Sequence, residues 1–141
     1  MVIEVKDSQA LATELRPVLL RLTRELRREI HSLGVTGGQV SLLVSIKAAP
    51  GITAKQLAEL DRVSAAAMSV ALGRLEKAGL IERTRGEDRR CVSVSLSPAG
   101  AKVLRSVKQR RTAWLAERLN HLDDEERAAI DAALPALARL L

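Results

Sequence analysis

Between Ile52 and Leu96 the hydrophobic period of the chain changes from helical to strand-like, and the order of signals leaves few folds open. Thr53, followed three residues later by Gln56, reads as a capping box, in which each side chain satisfies a backbone N–H at the start of a helix. It predicts a short helix through Leu60, with Leu57 and Leu60 inward and Lys55 and Glu59 outward. Asp61, Arg62 and Val63 form the connection. Ser64 can then cap a helix from Ala65 to Ala78, whose Met68, Leu72 and Leu75 recur at spacings of four and three. Gly79 supplies a left-handed stop. Beyond it, Leu80 to Arg83 is a strand candidate and Thr84 to Arg90 a polar turn around Gly86. Cys91 to Leu96 then alternates, with Val92, Val94 and Leu96 on one face and Cys91, Ser93 and Ser95 on the other. Two short helices joined by three or four residues make a helix-turn-helix. A hairpin directly after it is a wing.

The flanks read as helices. Leu11, Leu15, Val18, Leu22, Leu26 and Ile30 form one apolar stripe from Ser8 to about Ser32, ended by Gly34. Pro17 predicts a kink or break near Arg16. Thr36 and Gln39 form another capping box, opening a helix with Val40, Leu42, Leu43 and Ile46 inward, and Ala49-Pro50-Gly51 stops it. After Ser97-Pro98 the pattern is helical again, with Val103, Leu104, Val107, Trp114, Leu115, Leu119 and Leu122 on one face, interrupted by Arg110 and Arg111. Asp123 and Glu126 cap a last helix carrying Ile130, Leu134, Leu137 and Leu140, which Pro135 should perturb locally. The chain has no Phe or Tyr and one Trp, so its core must be built from Leu, Ile, Val and Ala, which suits packed helices. The expected fold is mainly α with a small β-hairpin. With 141 residues and no repeat or linker, a single domain over 1–141 is expected. Its winged lobe spans about 36–100, and the flanking helical regions span about 8–33 and 101–141.

The formal net charge of +6 favours an anionic partner. No apolar run approaches the ~20 residues that span a bilayer, and Met1 to Asp7 lacks the pattern of a signal peptide. The single cysteine, Cys91, excludes an intramolecular disulfide. A cytoplasmic protein without membrane partners is expected. There is no phosphate-cradling loop, two-histidine zinc helix or nucleophile elbow, so no enzyme, cofactor or metal site is expected. His31 and His121 are isolated, and His121 suits a helix cap.

DNA is the anionic partner that the winged plan fits. In the second helix of the pair, Ser64, Ala65, Ala66, Ala67 and Ser69 are small enough for close approach to base edges, although the alanines could equally pack against a neighbour. Arg74 and Lys77 late on that helix, with Thr53 and Lys55 on the preceding one, are candidates for phosphate contacts. In the turn, Arg85, Asp88, Arg89 and Arg90 (with Arg83 nearby) suit a narrow minor groove, Asp88 holding the arginines in orientation. Arg21, Arg24, Arg27 and Arg28 read as a solvated face. Lys102, Arg105, Lys108, Arg110 and Arg111 form a basic half-helix that could pair with the Asp123–Glu126 run of the same or another chain. Two other readings use the same residues: a module docking an acidic protein, and a thiol sensor acting through Cys91.

Several segments resemble the MarR family of bacterial transcription regulators. These are Thr53-x-x-Gln56-Leu57-Ala58; Arg74-Leu75-Glu76-Lys77-Ala78-Gly79-Leu80-Ile81-Glu82-Arg83; Asp88-Arg89-Arg90; Val92-x-Val94-x-Leu96-Ser97-x-x-Gly100; and Leu122-Asp123-Asp124-Glu125-Glu126. The resemblance implies a homodimer that represses by occupying a pseudo-palindromic operator in double-stranded DNA. The first helix and the last two would form its interface, through Leu11, Leu15, Leu119, Leu122, Ile130, Leu134 and Leu137. It also implies room for control by a small, often phenolic, effector between the interface and the DNA-binding lobe. The chain departs from the family pattern at Val70, where a polar or basic residue is common, and at Ala66 and Ala67, where hydroxyls are common. Those departures shift weight from direct readout to the wing and DNA shape.

Overall fold

The computed structural model describes residues 3–86 and 91–141. Helix α1 spans Ser8–Arg28, with the Asp7 carboxylate accepting the Ala10 N–H at 2.8 Å. Of the kink or break expected near Arg16, a break does not occur: the helix runs through Pro17. A proline removes one N–H donor, and 21 residues keep enough hydrogen bonds on either side to carry the helix past the loss. The helix does stop earlier than its apolar stripe. A 3-10 turn at His31–Leu33 follows, and Gly34, at φ 75°, reverses the chain. Ile30, between helix and turn, is fully buried.

Helix α2 (Gly37–Ala48) has the expected capping box, with Gln39 N donating to Thr36 Oγ1 at 3.1 Å and Thr36 N to Gln39 Oε1 at 3.0 Å. Helices α3 (Ala54–Asp61) and α4 (Ala65–Lys77) follow. Strands β1 (Ile81–Arg85) and β2 (Val92–Leu96) pair antiparallel, from Ile81 opposite Leu96 to Arg85 opposite Val92. Thr84 and Arg85 therefore belong to the strand rather than to the turn. Helix α5 spans Pro98–Asn120, with proline in its first turn. His121 terminates it, its Nδ1 lying 2.8 Å from the Glu117 carbonyl, which is the capping use expected of it. Helix α6 (Asp124–Ala138) opens on the Asp123–Glu126 capping box, passes through Pro135 and ends before Leu140. Among the described residues no helix is long and apolar enough to cross a membrane.

The buried core lies between Ile30 and Val107. Leu43, Leu57, Leu72, Leu75 and Val94 are inaccessible and come from α2, α3, α4 and β2. The core is aliphatic, as the lack of Phe and Tyr requires. Leu60, expected inside, is 62% exposed, and Ala58 is buried in its place. Ala54, Leu57 and Ala58 lie on one helical stripe at spacings of three and one, and Leu60 falls off its edge. Neither α1 nor α6 buries a single side chain. Leu11, Ile130, Leu134 and Leu137 are exposed, and Leu15, Leu119 and Leu122 are half-buried.

One junction locks the hairpin to α5. The Ser97 N–H donates to the Leu80 carbonyl at 3.0 Å, the Ser97 hydroxyl donates to the Gly79 carbonyl, and the Gly100 N–H donates to Ser97 Oγ at 3.0 Å. Gly100 sits so close that a Cβ there would lie 2.0 Å from the Leu80 carbonyl oxygen.

Candidate nucleic-acid interface

Helices α3 and α4 are joined by Arg62, Val63 and Ser64. Thr53 opens α3 with a complete capping box: Gln56 N donates to Thr53 Oγ1 at 3.1 Å and Thr53 N to Gln56 Oε1 at 2.9 Å. The Val63 N–H reaches back to the Ala58 carbonyl at 3.0 Å, and Arg62 adopts the left-handed conformation, φ 56° and ψ 43°. That conformation usually falls to glycine, and here an exposed arginine holds it. Ser64 Oγ accepts the Ala67 N–H at 3.0 Å and starts α4. One lone pair of Ser64 is therefore committed to the cap rather than to a ligand.

Met68, Leu72 and Leu75 fix the inward face of α4, all three buried. Ala65, Ala66, Ala67, Ser69 and Arg74 are exposed, which decides the question left open by sequence: the alanine run does not pack against the lobe. Lys77, in the last turn, is exposed as well, as is Lys55 in the first turn of α3. Among the described residues, none of Lys55, Arg74 and Lys77 takes part in an ion pair. Thr53 is half-buried, its oxygen taken by the cap and its backbone bridged to Ser93.

That bridge fixes the wing. Val94 N donates to the Ile52 carbonyl at 2.9 Å, so the residues leading into α3 lie along β2 like a fragment of a third strand. On the other side, Arg83 Nε lies 2.6 Å from Glu76 Oε2 and ties β1 to α4. Arg83, grouped with the wing arginines by sequence, serves as a brace. Arg85 is exposed at the end of β1. Asp88, Arg89 and Arg90 lie outside the described residues. Cys91 is exposed, and its carbonyl accepts the Gly86 N–H at 3.2 Å.

The centre of the exposed face is Val70, which the sequence marks only as a departure from the family pattern. Val70 is 57% exposed, although valine has no solvation reason to be there. At about 3.6 residues per turn it sits directly opposite Met68, Leu72 and Leu75, with Ala66 and Gly73 a turn to either side. The signal was present in the wheel that placed the buried residues, which fixes the outward pole as firmly as the inward one.

A second feature lies away from this face. Val40, Val44 and Lys47 of α2 and Leu104, Val107 and Arg111 of α5 line a hollow of about 390 Å³. Arg111 Nε is buried there with no hydrogen-bond partner among the described residues. Also among the described residues, no group of three or more His, Cys, Asp or Glu could hold a metal ion.

The MarR family model matches residues 35–92. Over 137 residues the chain is 33% identical to the HTH-type transcriptional regulator Mb0904 of Mycobacterium bovis, covering 96% of each protein. This chain belongs to the MarR family. It is 30% identical over 113 residues to the HTH-type transcriptional repressor MdtR of Bacillus subtilis, covering 79% of this chain and 73% of the other. Its fold matches a crystal structure of a candidate transcriptional regulator from Pseudomonas aeruginosa with a TM-score of 0.84 and 33% identity, covering 97% of each chain. The architecture is accordingly a MarR winged helix-turn-helix with additional helices at both ends, and the protein is a DNA-binding transcription regulator rather than an enzyme.

Proposed function

We propose that this MarR protein is a homodimeric repressor that occupies a pseudo-palindromic operator, with α4 in the major groove and the wing beside it. The observation that carries the reading is the two-sided nature of α4. One face is core, and the other presents Ala66, Ser69, Val70 and Arg74 to solvent, with exposed cations at Lys55, Lys77 and Arg85 on the same lobe. Cations of this kind neutralise phosphates, and the helix face reads bases. Arg89, named from the sequence, is the wing residue proposed for the minor groove. The exposed leucines of α1 and α6 support pairing of two chains through the terminal helices. Two recognition helices on successive turns of one DNA face would then stand about 34 Å apart. Repression follows the description of MdtR.

The hollow between α2 and α5 supports control by a small effector. Its aliphatic walls and the unpartnered Arg111 Nε favour an amphipathic anion over a neutral aromatic. The test of the main reading is selection of binding sites from random double-stranded DNA with the purified chain. A palindromic consensus, bound steeply less well as salt rises, is expected. Failure to enrich any sequence would remove the DNA reading and leave docking of an acidic protein.

A further inference from the structure

We infer that the outward pole of α4, formed by Ala66, Val70 and Gly73, reads the operator by direct contact with thymine methyl groups. This inference rests on the proposed seating of α4 in the major groove and goes further, to the chemistry that the helix recognises there.

Two observations carry it. Val70 is 57% exposed at the centre of the face opposite the core residues Met68, Leu72 and Leu75. An apolar side chain there is left largely to solvent. The base-edge group that it complements is the C5 methyl of thymine, the one apolar feature that the major groove displays. The second observation is Gly73. A glycine inside a helix is less stable than alanine there, because it loses more backbone freedom on folding. A Cβ at Gly73 would meet nothing within 4 Å, so no packing among the described residues explains the missing side chain. Its backbone is neither left-handed nor at a helix end. What remains is close approach of something outside the chain, one turn along from Val70.

The polar inventory of the face agrees. Ser64 Oγ is engaged as the cap, Arg74 and Gly73 flank Val70 on opposite sides at about 40° and 60° around the helix, and Lys77 follows Val70 two turns on, in the last turn. In the first two turns of this row no side chain can hydrogen-bond, so Ala66, Val70 and Gly73 leave a shallow apolar seat about two turns long, flanked by Arg74 and closed by Lys77.

The experiment starts from the operator obtained by selection. Each thymine is replaced singly by deoxyuridine, which removes the methyl and keeps the base pair. Replacement at the contacted position should weaken binding about four-fold per methyl. Val70→Ser should abolish that difference, binding thymine and uracil operators equally. Gly73→Ala should raise the urea midpoint of the free protein and yet weaken operator binding several-fold, opposite signs that a purely structural glycine cannot give. If every uracil operator binds as tightly as its thymine parent, the methyl reading is overturned while the DNA-binding reading stands. If Gly73→Ala leaves operator affinity unchanged, the close approach at that turn is overturned. If selection enriches no sequence, both readings fall together.

Discussion

Replacing Gly100 by alanine adds one methyl group at the junction of β1 and α5. The new Cβ would lie 2.0 Å from the Leu80 carbonyl oxygen and 3.0 Å from its carbon. Carbon and oxygen normally approach no closer than about 3.3 Å, so the two backbones must separate by more than ~1 Å. Both atoms in the clash are backbone, and no rotamer relieves it. Overpacking of this kind costs about 1–3 kcal/mol. Separation also breaks the Ser97 N–H bond to the Leu80 carbonyl and strains that of the Ser97 hydroxyl to Gly79. Each is worth about 1 kcal/mol. Alanine's helix preference returns at most ~1 kcal/mol. The net loss is about 2–4 kcal/mol, a large share of the roughly 5–15 kcal/mol that holds a domain folded. Urea unfolding followed by circular dichroism, at one fixed chain concentration, should show a midpoint lowered by about 1–2 M. Gly73→Ala is the matched control, with the same chemical change and no contact within 4 Å, and its midpoint should rise. A Gly100→Ala midpoint indistinguishable from that of the parent would refute the claim that this junction is closely packed.

Three further outcomes are expected. Thr53→Ala removes the oxygen that accepts the Gln56 N–H, and thermal unfolding should show a loss of about 1 kcal/mol, with a shortfall meaning that water replaces the cap. Arg89→Ala should lower operator affinity by about 1–3 kcal/mol in a shift assay, and unchanged affinity would dismiss the wing as a DNA contact. Leu134→Glu places a charge on an exposed apolar face of α6, so ultracentrifugation should find the variant monomeric at concentrations where the parent is paired. A variant that stays paired would move the interface away from α6.

Features set by chemistry within a few residues were legible in the sequence. Three capping boxes, at Thr36, Thr53 and Asp123, form as their spacing requires, because the partners lie three residues apart on the same helical turn. The left-handed stop at Gly79 and the buried Met68–Leu72–Leu75 stripe follow for the same reason. What failed depends on context. A break at Pro17 does not occur, because proline removes one donor from a helix with many. Leu60 was placed inward by its hydrophobicity, but a helix of eight residues offers one narrow stripe, and Ala58 sits on it. The Val94–Ile52 hydrogen bond and the Glu76–Arg83 pair join residues that no local pattern connects.

The same contrast separates the two halves of the recognition face. Buried positions announce themselves by periodicity, because every third or fourth residue must be apolar to enter the core. Exposed positions of a DNA-reading helix obey no such repeat, since they answer to a partner outside the chain. Val70 therefore read as a departure from family pattern, and Gly73 passed unmarked. Only when the inward face is fixed do these two residues become anomalous: one is too apolar for water, and the other too small for a helix with free space beside it. Glycine in a helix interior is less stable than alanine, so Gly73 is not there for the helix. The proposed contact with thymine methyl groups would account for both, and it would place the specificity of this regulator at the centre of α4.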